Sequence, residues 1–296
     1  MYEFINLKEK TMGLFNKLFG KSGNDSMSAG SSSGSSGFNL LKDVEVLPTD
    51  KPTDILAKMP KTDSVISLEK SVISLDKAII SLSKDTGFDL NNHQAKVAVV
   101  MDYSGSMSRL YSNGAVQRVL TRLMPLAFKF DDNGELEVWI FSNDYHRLEP
   151  MDLSNFDTYV HDEITRKRYD MGSTEYAPVL RDVLHKYFTE DADSSNIPTF
   201  LIFITDGDND SSDVRPTDKV IVDSSDKNIF IQFVGIGNSS FSYLKELDNL
   251  AGRTVDNTGF IKVADFERMN DDELYHELLK QYPDWVKAKT SKGIGW

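Results

Sequence analysis

Asp102, Ser104 and Ser106 stand at alternate positions directly after the apolar run Val97-Ala98-Val99-Val100-Met101. A buried strand that ends in one carboxylate and two hydroxyls offers hard oxygen ligands at the mouth of a sheet, which is the donor chemistry of a small divalent cation. Thr174 can add a third hydroxyl, and Asp206, which closes the apolar run Thr199 to Thr205, a second carboxylate. The metal set expected from residue types is therefore Asp102, Ser104, Ser106, Thr174 and Asp206. A cation held mainly by neutral hydroxyls and water keeps much of its positive charge. An open coordination position on it should attract a carboxylate from another molecule.

These five residues span more than a hundred positions, so strands and helices must bring them together. Lys96 to Met101 reads as a buried strand, and Val116, Val119, Leu120, Leu123, Ala127 and Phe130 mark one face of a helix that Pro125 should kink. Leu136 to Phe141 is the next strand and His146 to Met151 an edge strand. Tyr176, Val179, Leu180, Val183, Leu184 and Tyr187 form a second helical stripe. Strands follow at 199–205, 229–234 and 259–263. A helix is expected over 241–250 and another over 271–281, capped by Asn270 or Asp271. Such alternation implies an α/β fold whose mainly parallel central sheet is flanked by helices, and folds of this kind place ligands beyond the carboxyl ends of their strands. Asp102 and Asp206 both sit at such ends.

Asp102-x-Ser104-x-Ser106, then Gly172-Ser173-Thr174 opening a helix, then Ile204-Thr205-Asp206-Gly207 closing a strand, resembles the metal-ion-dependent adhesion site of von Willebrand factor A (vWA) domains. The finer resemblance is to the bacterial tellurium-resistance, TerF-like vWA proteins. It lies in Ala177-Pro178, in Phe233-Val234-Gly235-Ile236-Gly237 and in Tyr282-Pro283-Asp284-Trp285. The resemblance implies a Rossmann-like vWA domain over 93–288 with a tail at 289–296. It also implies Mg2+ (or Mn2+ or Ca2+) at the site, binding to a protein partner that presents a carboxylate, and a link to tellurite or other stress resistance with companion Ter-family proteins as partners.

The 296 residues carry a formal net charge of -13 and no cysteine. That balance argues against nucleic acid as a partner, because phosphate binding needs clustered Lys and Arg, and the cysteine count excludes disulfides and thiolate metal sites. No apolar run approaches the roughly 18 residues needed to span a bilayer, so a cytoplasmic protein is expected. Residues 1–21 place Leu14, Phe15, Leu18 and Phe19 at helical spacing among lysines, a short amphipathic helix suited to peripheral membrane contact or to docking. A flexible Ser/Gly-rich linker is expected over 22–64. A seven-residue repeat fills 65–92: Val65-Ile66-Ser67-Leu68-Glu69-Lys70, Val72-Ile73-Ser74-Leu75-Asp76-Lys77 and Ile79-Ile80-Ser81-Leu82-Ser83-Lys84. Its a and d positions fit a short coiled coil and its β-branched residues fit extended segments. The extended reading is favoured, with the repeats similar to strand openings of the companion Ter domains.

Asp206-Gly207-Asp208-Asn209-Asp210 lacks the glycine and glutamate of a calcium loop and reads as a solvated acidic rim. The five histidines show no ligand spacing, and Trp285 and Trp296 are expected to anchor the C-terminal helix. A binding module is the expected function and no enzyme activity is expected. A metal-dependent hydrolase or phosphatase with Asp102 as nucleophile is the alternative, weakened because Ser104 stands where an acid-base carboxylate belongs. A membrane-associated scaffold anchored by residues 1–21 is a further alternative.

Overall fold

A computed structural model describes residues 40–42, 44–47, 49–131, 133–192, 195–266 and 268–295. The expected amphipathic segment, the first part of the expected linker and Trp296 lie outside the described residues. Six strands, β1 (Lys96–Asp102), β2 (Glu137–Phe141), β3 (Tyr145–Arg147), β4 (Thr199–Thr205), β5 (Ile229–Ile236) and β6 (Thr258–Val263), form one sheet in the order β3-β2-β1-β4-β5-β6. All neighbours are parallel except the short edge strand β3, which returns antiparallel on β2. The helices are α1 (Pro52–Lys58), α2 (Asp63–Thr86), α3 (Ser108–Ser112), α4 (Ala115–Phe130), α5 (Tyr176–His185), α6 (Val214–Ser224), α7 (Ser242–Asp248), α8 (Asp271–Leu279) and α9 (Tyr282–Ser291).

Alternation along the central strands builds two cores. Val97, Val99 and Met101 of β1 and Phe200, Ile202 and Ile204 of β4 face one cluster with α2, α4, α8 and α9, while Ala98, Val100, Leu201 and Phe203 face a second with α5, α6 and α7. Strands buried on both faces read as continuous apolar runs, as β1 and β4 do. The helix expected to kink at Pro125 runs unbroken from Ala115 to Phe130.

The seven-residue repeats, favoured as extended segments, form the single 24-residue helix α2. Val65, Leu68, Leu75, Ile79 and Leu82 are buried, whereas Ile73 and Ile80 are 57% and 52% exposed. A strand would have put Ile73 on the same face as Leu75. The weak β preference of Val and Ile, within about 1 kcal/mol per residue, is overridden by burial of the helical stripe. Two end signals agree with helix: the Thr62 hydroxyl accepts from the Val65 amide at 3.3 Å, and Gly87 stops the helix at φ 66°. The stripe packs on this chain's own α4 and α8. Ser71, buried in the middle of it, donates to Asp271 Oδ2 at 2.6 Å.

The expected linker is also corrected. Leu40, Leu41, Val44, Val46, Ile55 and Leu56 are buried in the core, and α1 with its Pro52 start lies inside the range expected to be flexible. The expected tail likewise begins within α9, where Lys289 is buried and stands over the Trp285 ring at 5.4 Å. Trp285 itself is buried against Tyr282 and Phe230 and anchors α9.

His93, just before β1, packs edge-on against Phe88 and Tyr282, with Nε2 2.9 Å from the Tyr282 hydroxyl. Burial, aided by the nearby Lys289 charge, pushes its pKa down to about 4. The unfolded chain protonates this histidine near pH 6.5 and the folded chain only near 4, so its contribution to stability is present above 6.5 and is lost as pH falls through that window. The loss should be on the order of 2 to 3 kcal/mol. His93→Gln, which keeps an amide for Tyr282, should flatten that part of the urea-denaturation profile between pH 7 and 4. An identical slope in wild type and variant would disprove the assignment.

Candidate metal centre

Asp102 is the last residue of β1, and Asp206 follows the last residue of its parallel neighbour β4, so the sheet alone sets their backbones side by side. Asp102 is fully buried. Its Oδ1 accepts from the Ser104 amide at 2.6 Å and its Oδ2 from the Thr205 hydroxyl at 2.7 Å. Burial pushes its pKa up to about 6 against the pull of those hydrogen bonds, and the charge of Asp206 adds to the rise. Ser104 Oγ lies 3.1 Å from Ser106 Oγ, and Ser106 Oγ donates to Asp206 Oδ1 at 2.8 Å. Four of the five expected residues thus form one connected oxygen cluster.

Thr174 is brought in by its backbone. The Asp210 amide donates to the Thr174 carbonyl at 2.7 Å, the Gly105 amide to the Gly172 carbonyl at 3.4 Å, and the Glu175 amide to the Ser142 carbonyl at 3.0 Å. Gly172 lies close under Asn143, whose Oδ1 stands 1.6 Å from where a Cβ would sit, so a side chain here would first displace the exposed Asn143 amide.

Several residues outside the expected ligand set hold the cluster in place. Thr205 fixes one carboxylate oxygen of Asp102, and the Tyr111 hydroxyl donates to the Asp102 carbonyl at 2.9 Å. Asn209 Oδ1 accepts from the Tyr176 amide and Asp213 Oδ2 from the Ala177 amide, so the loop after β4 caps the start of α5 immediately beyond Thr174. Asp208, read as part of a solvated rim, instead accepts from the Ser242 and Tyr243 amides and caps α7. For the three caps, the sequence signal is polar residues two, three and seven positions after Asp206, and it does not say which helix will be capped.

The donor set fits a small divalent ion. For metal–oxygen distances of about 2.1 Å in an octahedron, adjacent ligand oxygens lie roughly 3 Å apart. The Ser104–Ser106 and Ser106–Asp206 separations of 3.1 and 2.8 Å already have that spacing. Among the described residues no group of three or more His, Cys, Asp or Glu is placed to hold a metal. The cluster has only two carboxylates and depends on hydroxyls for the rest.

A family model for the vWA found in the TerF C terminus matches residues 94–295. An uncharacterized protein, YcbR of Bacillus subtilis, is 45% identical over 202 residues, which is 68% of this chain and 81% of that protein. Copine-D of Dictyostelium discoideum is 30% identical over 123 residues, 38% of this chain and 23% of its own length. Among solved structures, the ArnB paralog VWA2 of Sulfolobus acidocaldarius is 21% identical, with a TM-score of 0.39 over 64% of this chain and 46% of that one. The match over 94–295 and the relation to YcbR together place the chain: it belongs to the vWA-TerF-like family.

Proposed function

We propose that the chain is a metal-dependent protein-binding module, in which Asp102, Ser104, Ser106, Thr174 and Asp206 hold Mg2+, or Mn2+ or Ca2+, and the ion receives an acidic residue of a partner protein. The observation that carries this reading is the oxygen cluster Ser104, Ser106 and Asp206, assembled from positions a hundred residues apart at ligand spacing. When bound, the ion supplies an electrophilic position for a carboxylate. The protein holds the hydroxyls in place, keeps Asp102 ionisable at the base of the site through Ser104 and Thr205, and fixes the Thr174 loop by capping α5. Membership of the TerF-like family supports a place in a bacterial tellurium- or stress-resistance system, with companion Ter-family proteins among the partners. The proposed compartment is the cytoplasm. Among the described residues no helix is long and apolar enough to cross a membrane.

The burial of Asp102 favours holding over chemistry. A nucleophilic carboxylate must reach an electrophile, and both oxygens of Asp102 are engaged inside the fold. Affinity capture from the native cell tests the reading, with wild type, Asp102→Ala and Thr174→Ala, each with Mg2+ and with EDTA. Partner recovery is expected only from wild type in Mg2+. Recovery that persists in EDTA would overturn the proposal.

A further inference from the structure

Helix α2 carries a second apolar stripe that the fold does not use. Val65, Leu68, Leu75, Ile79 and Leu82 face the core, whereas Ile66, Ile73 and Ile80 recur every seven residues on the opposite side. Ile73 and Ile80 are two of the four large apolar side chains exposed among the described residues, and Ile66 is half-buried. A seven-residue repeat drifts by only about 20° per repeat on a straight helix, so the three isoleucines form one seam roughly 21 Å long.

Charges flank this seam in an ordered way. At about 100° per residue, Glu69 and Asp76 fall about 40° and 60° to one side of Ile73, and Lys77 and Lys70 about 40° and 60° to the other. The neighbouring helices continue the opposition: Lys129 of α4 stands 3.5 Å from Asp76, and Asp272 of α8 stands 3.7 Å from Lys77. Asp76, Lys77 and Asp272 remain more than half exposed in these long pairs, so their charges stay open to a further partner. One edge of the seam is therefore acidic and the other basic. Such a face complements itself in one orientation. A two-fold axis along the helices lays the acidic edge of one copy on the basic edge of the other, whereas an axis across them sets like edges together.

We propose that α2 is the contact through which two copies of this chain pair, with their α2 helices parallel and in register. Ile66, Ile73 and Ile80 each meet the same residue of the second copy. Glu69 faces Lys70 of the second copy and Asp76 faces its Lys77, while the lysine stems cover the isoleucines. Each charge pair occurs twice, because the interface is isologous. Two 24-residue helices of about 36 Å bury less than a standard interface, so the pairing is weak and reversible. It uses none of the metal residues and does not depend on the reading of that site.

Sedimentation velocity of the full chain, from low to high micromolar concentration in EDTA, tests the proposal without any association through a metal. A reversible monomer–dimer equilibrium is expected. Ile73→Lys sets two ammonium groups against each other on the two-fold axis and should weaken the dimer by about tenfold or more, with an unchanged melting temperature because Ile73 is 57% exposed. Glu69→Lys with Asp76→Lys makes both edges basic and should abolish pairing, and adding Lys70→Glu with Lys77→Glu should restore it. The chain has no cysteine, so Ile80→Cys can crosslink only to itself, and the parallel register predicts a disulfide-linked dimer on mild oxidation. A chain that stays monomeric at every concentration, or a dimer indifferent to Ile73→Lys, would overturn the proposal. The first of these results would leave the seam to residues 1–21 or to another protein. Crosslinking of Ile80→Cys with Ile66→Cys but not with itself, or no rescue by the fourfold charge inversion, would overturn the parallel arrangement.

Discussion

Asp102→Asn is expected to abolish metal-dependent capture and, in the absence of metal, to leave the domain at least as stable as wild type. On the proposed reading the carboxylate serves the ion and not the empty fold, so the two effects part. Without metal, burial raises the Asp102 pKa to about 6, so above that pH the folded protein holds a buried charge that the unfolded chain, titrating near 3.8, holds in water. A group whose folded pKa is raised costs stability above that pKa and less as pH falls toward its unfolded value. Asparagine removes the charge and keeps the shape. Its oxygen can accept from the Ser104 amide, and its amide can donate to Thr205, whose hydroxyl then turns to donate to the Gly207 carbonyl, 3.1 Å away. The gain in metal-free stability near pH 7.5 should be on the order of 1 to 3 kcal/mol. Added Mg2+ should raise the melting temperature of wild type but not of the variant. A metal-free variant less stable than wild type by more than about 1 kcal/mol would show that the carboxylate is a structural keystone instead.

The sheet and the meeting of Asp102, Ser104, Ser106 and Asp206 at its carboxyl end were legible in the sequence because each depends on a local pattern. The run from Thr199 to Thr205 is uninterrupted, so β4 has the expected ends, and the Asn270 cap is realised by its Oδ1 accepting from the Glu273 amide. The seven-residue repeats were misread because two periodicities fit Val65 through Leu82 equally well, and β-branched residues tipped the choice. A stronger signal lay in what the repeats lack: Glu69-Lys70-Ser71 and Asp76-Lys77-Ala78 contain no Gly, Pro or Asn to turn three strands back on one another. Helix α6 was missed altogether, since Asp213 and Thr217 look like more of the preceding polar loop. Their burial, and the hydrogen bond from the Ala177 amide to Asp213 Oδ2 at 2.8 Å, exist only once α5 and α6 are packed. Long-range caps of this kind leave no spacing to read.

Arg122→Ala should destabilise the domain by about 3 kcal/mol, far more than a surface ion pair would. Arg122, on α4, reaches the segment that joins β6 to α8. Its Nε pairs with Asp271 Oδ1 at 2.6 Å, Nη2 donates to the Met269 carbonyl at 2.7 Å, Nη1 donates to the Phe266 carbonyl, and the guanidinium stands 5.7 Å from the Phe266 ring. Both side chains are mostly covered, at 14% and 21% exposure, so truncation strips donors from two carbonyls and leaves Asp271 with Ser71 and the N-terminal end of α8. The consequence reaches α2, because Asp271 is the more buried of two polar points, with Asp272 paired to Lys77, at which that helix is pinned to α8. Arg122→Ala should therefore loosen α2 along with the β6–α8 segment, and hydrogen exchange should rise in 63–86 as well as in 264–272. A double-mutant cycle with Asp271→Ala, read by chemical denaturation, should give a coupling of about 1 to 3 kcal/mol. Additive losses, or an Arg122→Ala cost below about 1 kcal/mol, would mean that α2 is held by its apolar stripe alone.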